Sequence, residues 1–200
     1  MMEDEGSNKG CEIMNMKAAD LIELLGLTPL PEEGGFYKET YRASGEIPQS
    51  ELKGHEGSRN YSTAIYYLIT PTEFSALHKL PQDEVFHFYL GDPVEMIQID
   101  ENGKLKTIIM GQDIKNSQQL QVIAPGNAWQ GTRLVEGGSW ALLGTTVAPG
   151  FDFKDFQVSS RRELIEKYPT HEKKIVEFTR YSESTRSPIP SLSEAVAEVS

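Results

Sequence analysis

The sequence predicts a mainly β domain, a sandwich or barrel, with its helices kept to the two ends. Three observations carry this prediction. Eight or so short runs rich in Val, Ile, Tyr, Phe and Thr fall before residue 150, Gly, Pro and Asn clusters punctuate them, and helical spacing of apolar residues occurs only near the termini. At 200 residues the chain is long enough for one domain with a sizeable core.

In chain order, residues 1–14 are polar and without period and are expected to form a disordered leader, ahead of a single domain over 15–180. Leu21, Ile22, Leu24 and Leu25 sit at helical spacing, with Asn15 as a cap and Gly26 as a left-handed stop. Pro29, Pro31, Gly34 and Gly35 then break the chain before a strand over 36–42, and 43–60 reads as loop. Strands follow over 61–69, 74–79, 84–90, 94–100 and 104–110, the last two joined at Asn102-Gly103, a strong hairpin signal. Runs at 119–123, 128–134 and 140–147 complete the set. Ser160-Arg161-Arg162-Glu163 has the form of a capping box for a helix ending at Pro169, and Thr170 can start a second. The Ser/Pro-rich stretch 181–200 is expected to be a disordered tail.

Charge and cysteine usage narrow the function class. Thirty acidic residues against 19 basic give a net charge of -11, which argues against nucleic acid or an anionic membrane as partner, since both need a basic surface. Cys11 is the single cysteine, so no intrachain disulfide or Cys-based zinc site can form. No apolar run approaches the roughly 18 residues that span a bilayer, and the first residues are acidic where a secretory signal would be basic. A cytoplasmic protein with a small-molecule partner is the expectation.

Chemistry concentrates in 74–91, FSALHKLPQDEVFHFYLG. Alternation along a strand puts Glu84, Phe86, Phe88 and Leu90 on one face and Val85, His87 and Tyr89 on the other. If the first set faces inward, Glu84 is a carboxylate among aromatics with His78 from the next strand as its partner. Such a pair could exchange a proton near neutrality. Trp129 and Gln130 enter a strand after a turn and are read as a core or interface aromatic and a pocket amide, respectively. His87 points away from the pocket unless a bulge re-aims it. Arg42, Lys38 and Arg133 are candidates for a substrate anion, against the plainer reading as surface counter-ions.

His78, Glu84 and Gly91 match the spacing of the first motif of the cupin superfamily, with Leu80 in place of its second histidine. Pro125 matches the start of the second motif, where Asn127 replaces a glycine and Gln130 a histidine. More widely, LIELLGL, GGFYKETYR, STAIYYLI, EVFHFYLGDPVEM, WQGTRL and WALLGTTVAPGFDFKDF resemble the single-domain type-5 cupins, a family without an assigned function. The resemblance implies a double-stranded β-helix, the jelly-roll barrel of RmlC-like proteins, usually dimeric, with a pocket at one end. Cupins commonly hold a divalent metal, but Leu80 and Gln130 leave only His78 and Glu84 of the usual ligands. No cofactor is therefore expected, with metal at His78 and Glu84 as the weaker alternative.

The residues and the resemblance together suggest a small polar metabolite, such as a sugar or nucleotide sugar, bound in the barrel. His78 and Glu84 would be catalytic, with Gln130, His87, Phe86, Trp129 and Arg42 binding substrate. If an enzyme, it would be a metal-independent isomerase or epimerase abstracting a proton next to a carbonyl, with His78 as base. The alternatives are a non-catalytic binding or structural cupin, and a metal-dependent oxygenase or lyase.

Overall fold

Two β-sheets face each other, and helices cover the outer face of each. The computed structural model describes residues 16–180, so the predicted leader and tail, and the Asn15 cap, lie outside the described residues. Strands β1 (Thr28–Pro29), β2 (Phe36–Arg42), β5 (Thr63–Ile69), β7 (Glu84–Gly91), β10 (Gln121–Ala124) and β12 (Ala141–Val147) form one sheet in the order β1-β2-β5-β12-β7-β10. Strands β6 (Ser75–Lys79), β8 (Val94–Ile99), β9 (Leu105–Met110), β11 (Trp129–Leu134) and β13 (Gln157–Val158) form the other, ordered β13-β6-β11-β8-β9. Within the span read as loop, β3 (Glu46–Ile47) and β4 (Arg59–Asn60) pair as a short separate ribbon. Every named strand pair is antiparallel, as a jelly roll requires.

Alternation decides what goes between the sheets. Tyr67 and Ile69 of β5, Phe86 and Phe88 of β7, Met96 of β8 and Leu143 of β12 meet in the inter-sheet core. Leu68 of β5 and Leu142 of β12 point the other way, onto α1 (Ala18–Leu25). That double burial explains why β5 is apolar almost throughout instead of alternating. On the second sheet, Ile97, Ile99 and Trp129 face outward onto α2 (Arg161–Lys167) and α3 (Glu172–Glu177) through Leu164, Ile175 and Phe178.

The helix signals act largely as expected. Gly26 ends α1 in the left-handed region, at φ 63°, while Asp20 reaches back to the Lys17 N–H at 2.8 Å. Ser160 and Glu163 form the reciprocal capping box of α2. Residues 169–171 make a 3-10 turn first, so α3 begins at Glu172 rather than at Thr170.

Strand parity fails at one place in β7. Leu143 pairs with Phe88 but Leu142 pairs with Leu90, leaving Tyr89 as the extra residue of a bulge. Leu90 is thereby turned out of the inward set and packs near α1. His87, upstream of the bulge, keeps the outward direction that alternation gives it.

Candidate functional site

The site begins with an irregularity in β6. Ser75 and His78 are three residues apart and would lie on opposite faces of a regular strand. On β11, however, their partners Thr132 and Gln130 are two apart, so β6 carries an extra residue and both side chains point inward. The ladder is interrupted there, which leaves the Ala76 carbonyl free to accept from His78 Nδ1 at 2.8 Å. Gly131 sits opposite the bulge, where a Cβ would meet the Ser75 carbonyl at 3.1 Å and the Phe178 ring at 3.2 Å.

The loop 31–35 fills the space that the bulge opens. The Ala76 N–H donates to the Glu33 carbonyl at 3.0 Å, and the Ser75 hydroxyl to Glu33 Oε1 at 2.7 Å. Arg180, following α3, holds the Glu33 and Phe74 carbonyls together, and the Tyr67 hydroxyl donates to the Gly34 carbonyl. Gly34 has φ 92°, and a Cβ there would lie 2.7 Å from the Phe74 carbonyl oxygen, so glycine is needed on both counts.

Glu33, His78, Glu84 and Gln130 thus meet in the interior. His78 Nε2 lies 3.9 Å from an oxygen of each carboxylate. Gln130 Nε2 sits between, 2.7 Å from Glu84 Oε2 and 3.3 Å from His78 Nε2, and Gln130 Oε1 has no partner. Burial by itself would lower the His78 pKa. The charges of Glu33 and Glu84 and the bond to Ala76 override it and push the ring up to about 9. Burial raises Glu33 above the ordinary carboxylate value, partly offset by His78 and the Ser75 hydroxyl. Gln130 works against the two carboxylates, because its N–H can donate to Nε2 only when the ring is neutral. Two full charges outweigh one neutral hydrogen bond, so His78 carries its proton at neutral pH. A ring held at about 9 differs from the expectation of a pair that exchanges a proton near neutrality.

Glu33, His78 and Glu84 form the floor of a cavity of about 710 Å³ between the sheets, while Gln130 bonds to Glu84 without lining the cavity itself. Leu80, Ile65, Thr145 and Val147 contribute to its wall, and Tyr37, Glu39 and Arg42 reach it from β2. Glu39 and Arg42 are again three apart and again share a face because of a bulge, here at Thr40. A strap over 149–156 closes one side. Its Asp155 is clamped by Arg59 at 2.6 and 2.8 Å and by His55 at 3.1 Å, and its Phe156 stacks on the His78 ring at 5.1 Å. Burial would raise the Asp155 pKa, but the hydrogen bonds from Arg59 and His55, with the Arg59 charge, outweigh it and hold Asp155 below the usual carboxylate range.

Of the residues singled out from sequence, His78, Glu84 and Gln130 come together, and Arg42 lines the cavity mouth. Arg42 is already engaged, with both Glu39 oxygens, Asn60 Oδ1 and the Phe151 carbonyl as acceptors. Trp129 does not line the cavity: neighbours on a strand face opposite ways, so with Gln130 inward it turns outward to Leu164 and Tyr168. Phe86 shares the inward face of Glu84 but lies deeper, in the closed core. His87 stays on the outer face, bonded to Thr146 and Gln121. Glu33 was not singled out, because a Pro-Glu-Glu-Gly-Gly turn carries no catalytic signal; neither was the strap.

A metal would need converging donors, and the floor presents an imidazole whose Nε2 is already faced by an amide nitrogen. Leu80, at the position of a motif histidine, brings an alkyl chain to the wall. Among the described residues no group of three His, Cys, Asp or Glu side chains is arranged to hold a metal ion. Nor is any described helix long and apolar enough to cross a membrane.

Residues 19–159 match the family described as Cupin superfamily (DUF985). The chain belongs to that cupin family. Among curated proteins, this cupin is 31% identical over 133 residues to uncharacterized protein YML079W of Saccharomyces cerevisiae, covering 62% of this chain and 66%, just under two thirds, of that protein. Two solved structures are similar over most of their length. A hypothetical protein from Leishmania major is 30% identical with TM-score 0.75, covering 83% of this cupin and all of that chain. Protein SO0799 from Shewanella oneidensis is 29% identical with TM-score 0.75, covering 84% and 99%.

Proposed function

We propose that this cupin binds a small polar carbonyl compound in its cavity and moves a proton next to the carbonyl, as an isomerase or epimerase. The observation that carries the reading is a buried imidazole set between two carboxylates at the floor of a cavity large enough for a metabolite. Glu33, raised above the ordinary carboxylate value by burial and bonded to Ser75 through Oε1, suits the base that removes the proton from carbon. His78, resting protonated, suits the acid that donates from Nε2 to the carbonyl oxygen as charge develops there. Glu84, its oxygen 3.9 Å from Nε2, balances the charge of the ring. Returning the proton to the other face or the neighbouring carbon completes an epimerisation or isomerisation, and no outside reactant is consumed.

The test is deuterium wash-in by proton NMR, with the protein in D2O and a panel of ketoses, aldoses and 2-hydroxy carbonyl acids. At least one compound should exchange the hydrogen next to its carbonyl, and Glu33→Gln and His78→Asn should each slow this by about 10²-fold or more. A panel compound that binds but never exchanges would make this a binding module.

A further inference from the structure

The strap carries three aromatic rings, and its outermost one is exposed at the cavity mouth. Phe153 is 54% exposed although it lines the cavity mouth. Its ring meets Phe151 edge to face at 5.1 Å, Phe151 meets Phe156 at 6.5 Å, and Phe156 stacks on His78. A row of rings therefore runs from solvent to the floor. Phe153 is held in that position: it sits in a 3-10 turn begun by Asp152, whose side chain accepts the Lys154 N–H, and ended by the clamped Asp155. The Gly150 N–H on the Asn60 carbonyl and the Phe151 N–H on Thr63 Oγ1 fix the other end. An apolar ring kept in water beside a cavity is a surface waiting for a flat partner.

Charge narrows that partner. Of the cations lining the cavity, His78 stands between two carboxylates and Arg42 has its donors occupied. Lys154 remains, exposed at the mouth next to Phe153 in sequence and in no ion pair among the described residues. Glu33, Glu39, Glu84 and Asp152 face the same space. Two or more negative charges would enter a predominantly acidic chamber with a single unengaged cation to meet them.

We propose that the ligand is a compact ring compound with at most one negative charge, stacked by its flat face on Phe153 with its charged or most polar substituent at Lys154. This rests on the reading of the cavity as a ligand site and names what the site selects. It turns the search away from nucleotide sugars, whose diphosphate finds no matching cations.

Saturation-transfer NMR on the full chain tests it, with hexoses, hexuronates, benzoate and nicotinate as ring probes, UDP-hexoses as diphosphate probes and glycerate and tartrate as acyclic controls. Binding should be confined to neutral or singly charged rings. Phe153→Ala should weaken the best of them about ten-fold or more while Phe153→Trp preserves binding, and Lys154→Ala should remove any preference for a monoanion over its neutral counterpart. Tightest binding by a UDP-hexose or an acyclic acid, no ring bound at millimolar concentration, or Phe153→Ala within two-fold of wild type would each overturn the proposal. Rings that bind without exchanging deuterium would count against the proposed reaction alone, and acyclic carbonyls that exchange while no ring binds would count against this inference alone.

Discussion

The chain buries two clusters of opposite charges on either side of the strap, and they are built differently. In the clamp, Arg59 donates to both oxygens of Asp155 and to the Glu56 and Ser58 carbonyls, and His55 takes a further contact. Every group there meets its partner at hydrogen-bond distance. At the cavity floor, the imidazole stands 3.9 Å from each carboxylate, with an amide nitrogen between and a buried amide oxygen unpartnered. A saturated cluster has nothing left to offer a ligand and serves as a fastening. One left short of partners keeps donors and acceptors for something that arrives later.

The difference can be broken open from the clamp side first. Arg59→Ala leaves the buried Asp155 with His55 as its one remaining clamp partner, and should cost up to about 3–5 kcal/mol in urea unfolding. A loss under about 1 kcal/mol would mean the clamp is solvated and the contrast is lost.

Titration sharpens it next. His78 binds its proton more tightly in the folded chain, so its stabilisation is complete below about 6.5 and disappears as pH rises through about 9. Unfolding free energy should fall across that window, by at most about 1.4 kcal/mol per pH unit from this group, and His78→Asn should flatten the fall. Asp155 behaves oppositely, its contribution being present above its unfolded value of 3.8 and lost in acid as pH drops through its lower folded value. A floor that weakens in alkali and a clamp that weakens in acid are separable by unfolding curves at several pH values. A His78→Asn variant retaining the full alkaline decline would contradict the assignment.

Smaller effects test how the floor is held. Gly131→Ala crowds the Ser75 carbonyl and Phe178, and should cost about 1–3 kcal/mol while shrinking the alkaline decline, because it disturbs the bulge that aims His78. Ser75→Ala removes one hydrogen bond, worth about 1 kcal/mol, and should raise the Glu33 pKa further, read by carbon NMR of its carboxyl group. An unchanged Glu33 resonance would show that Ser75 does not hold it.

How much of this was legible depended on whether regular alternation held. His78, Glu84 and Gln130 were found because each lies on a strand stretch whose partners in sequence and spacing match a known motif. Trp129 takes the place of a core aromatic, one of the two readings its sequence offers, and with Gln130 inward the parity of β11 keeps it from the cavity. Leu90 was misplaced because nothing in FHFYLG marks Tyr89 as an inserted residue. Glu33 and Ser75 were out of reach: one lies in a turn, the other at the wrong spacing from His78, and a bulge in β6 joins them.

Read alone, the chain determined its fold class, because hydrophobic alternation, glycine and proline punctuation and capping residues act within a few positions of one another. It also marked His78 and Glu84 as partners if Glu84 faces inward; that they face each other from opposite sheets is a property of the fold. Tertiary structure decided that a second carboxylate joins them and pushes the ring's pKa up, and that Phe151 and Phe153, not Phe86, are the phenylalanines that line the cavity. Those outcomes depend on bulges and on loops pinned by residues up to 147 positions away, as Arg180 pins Glu33, and energies set across such separations leave no local pattern to read.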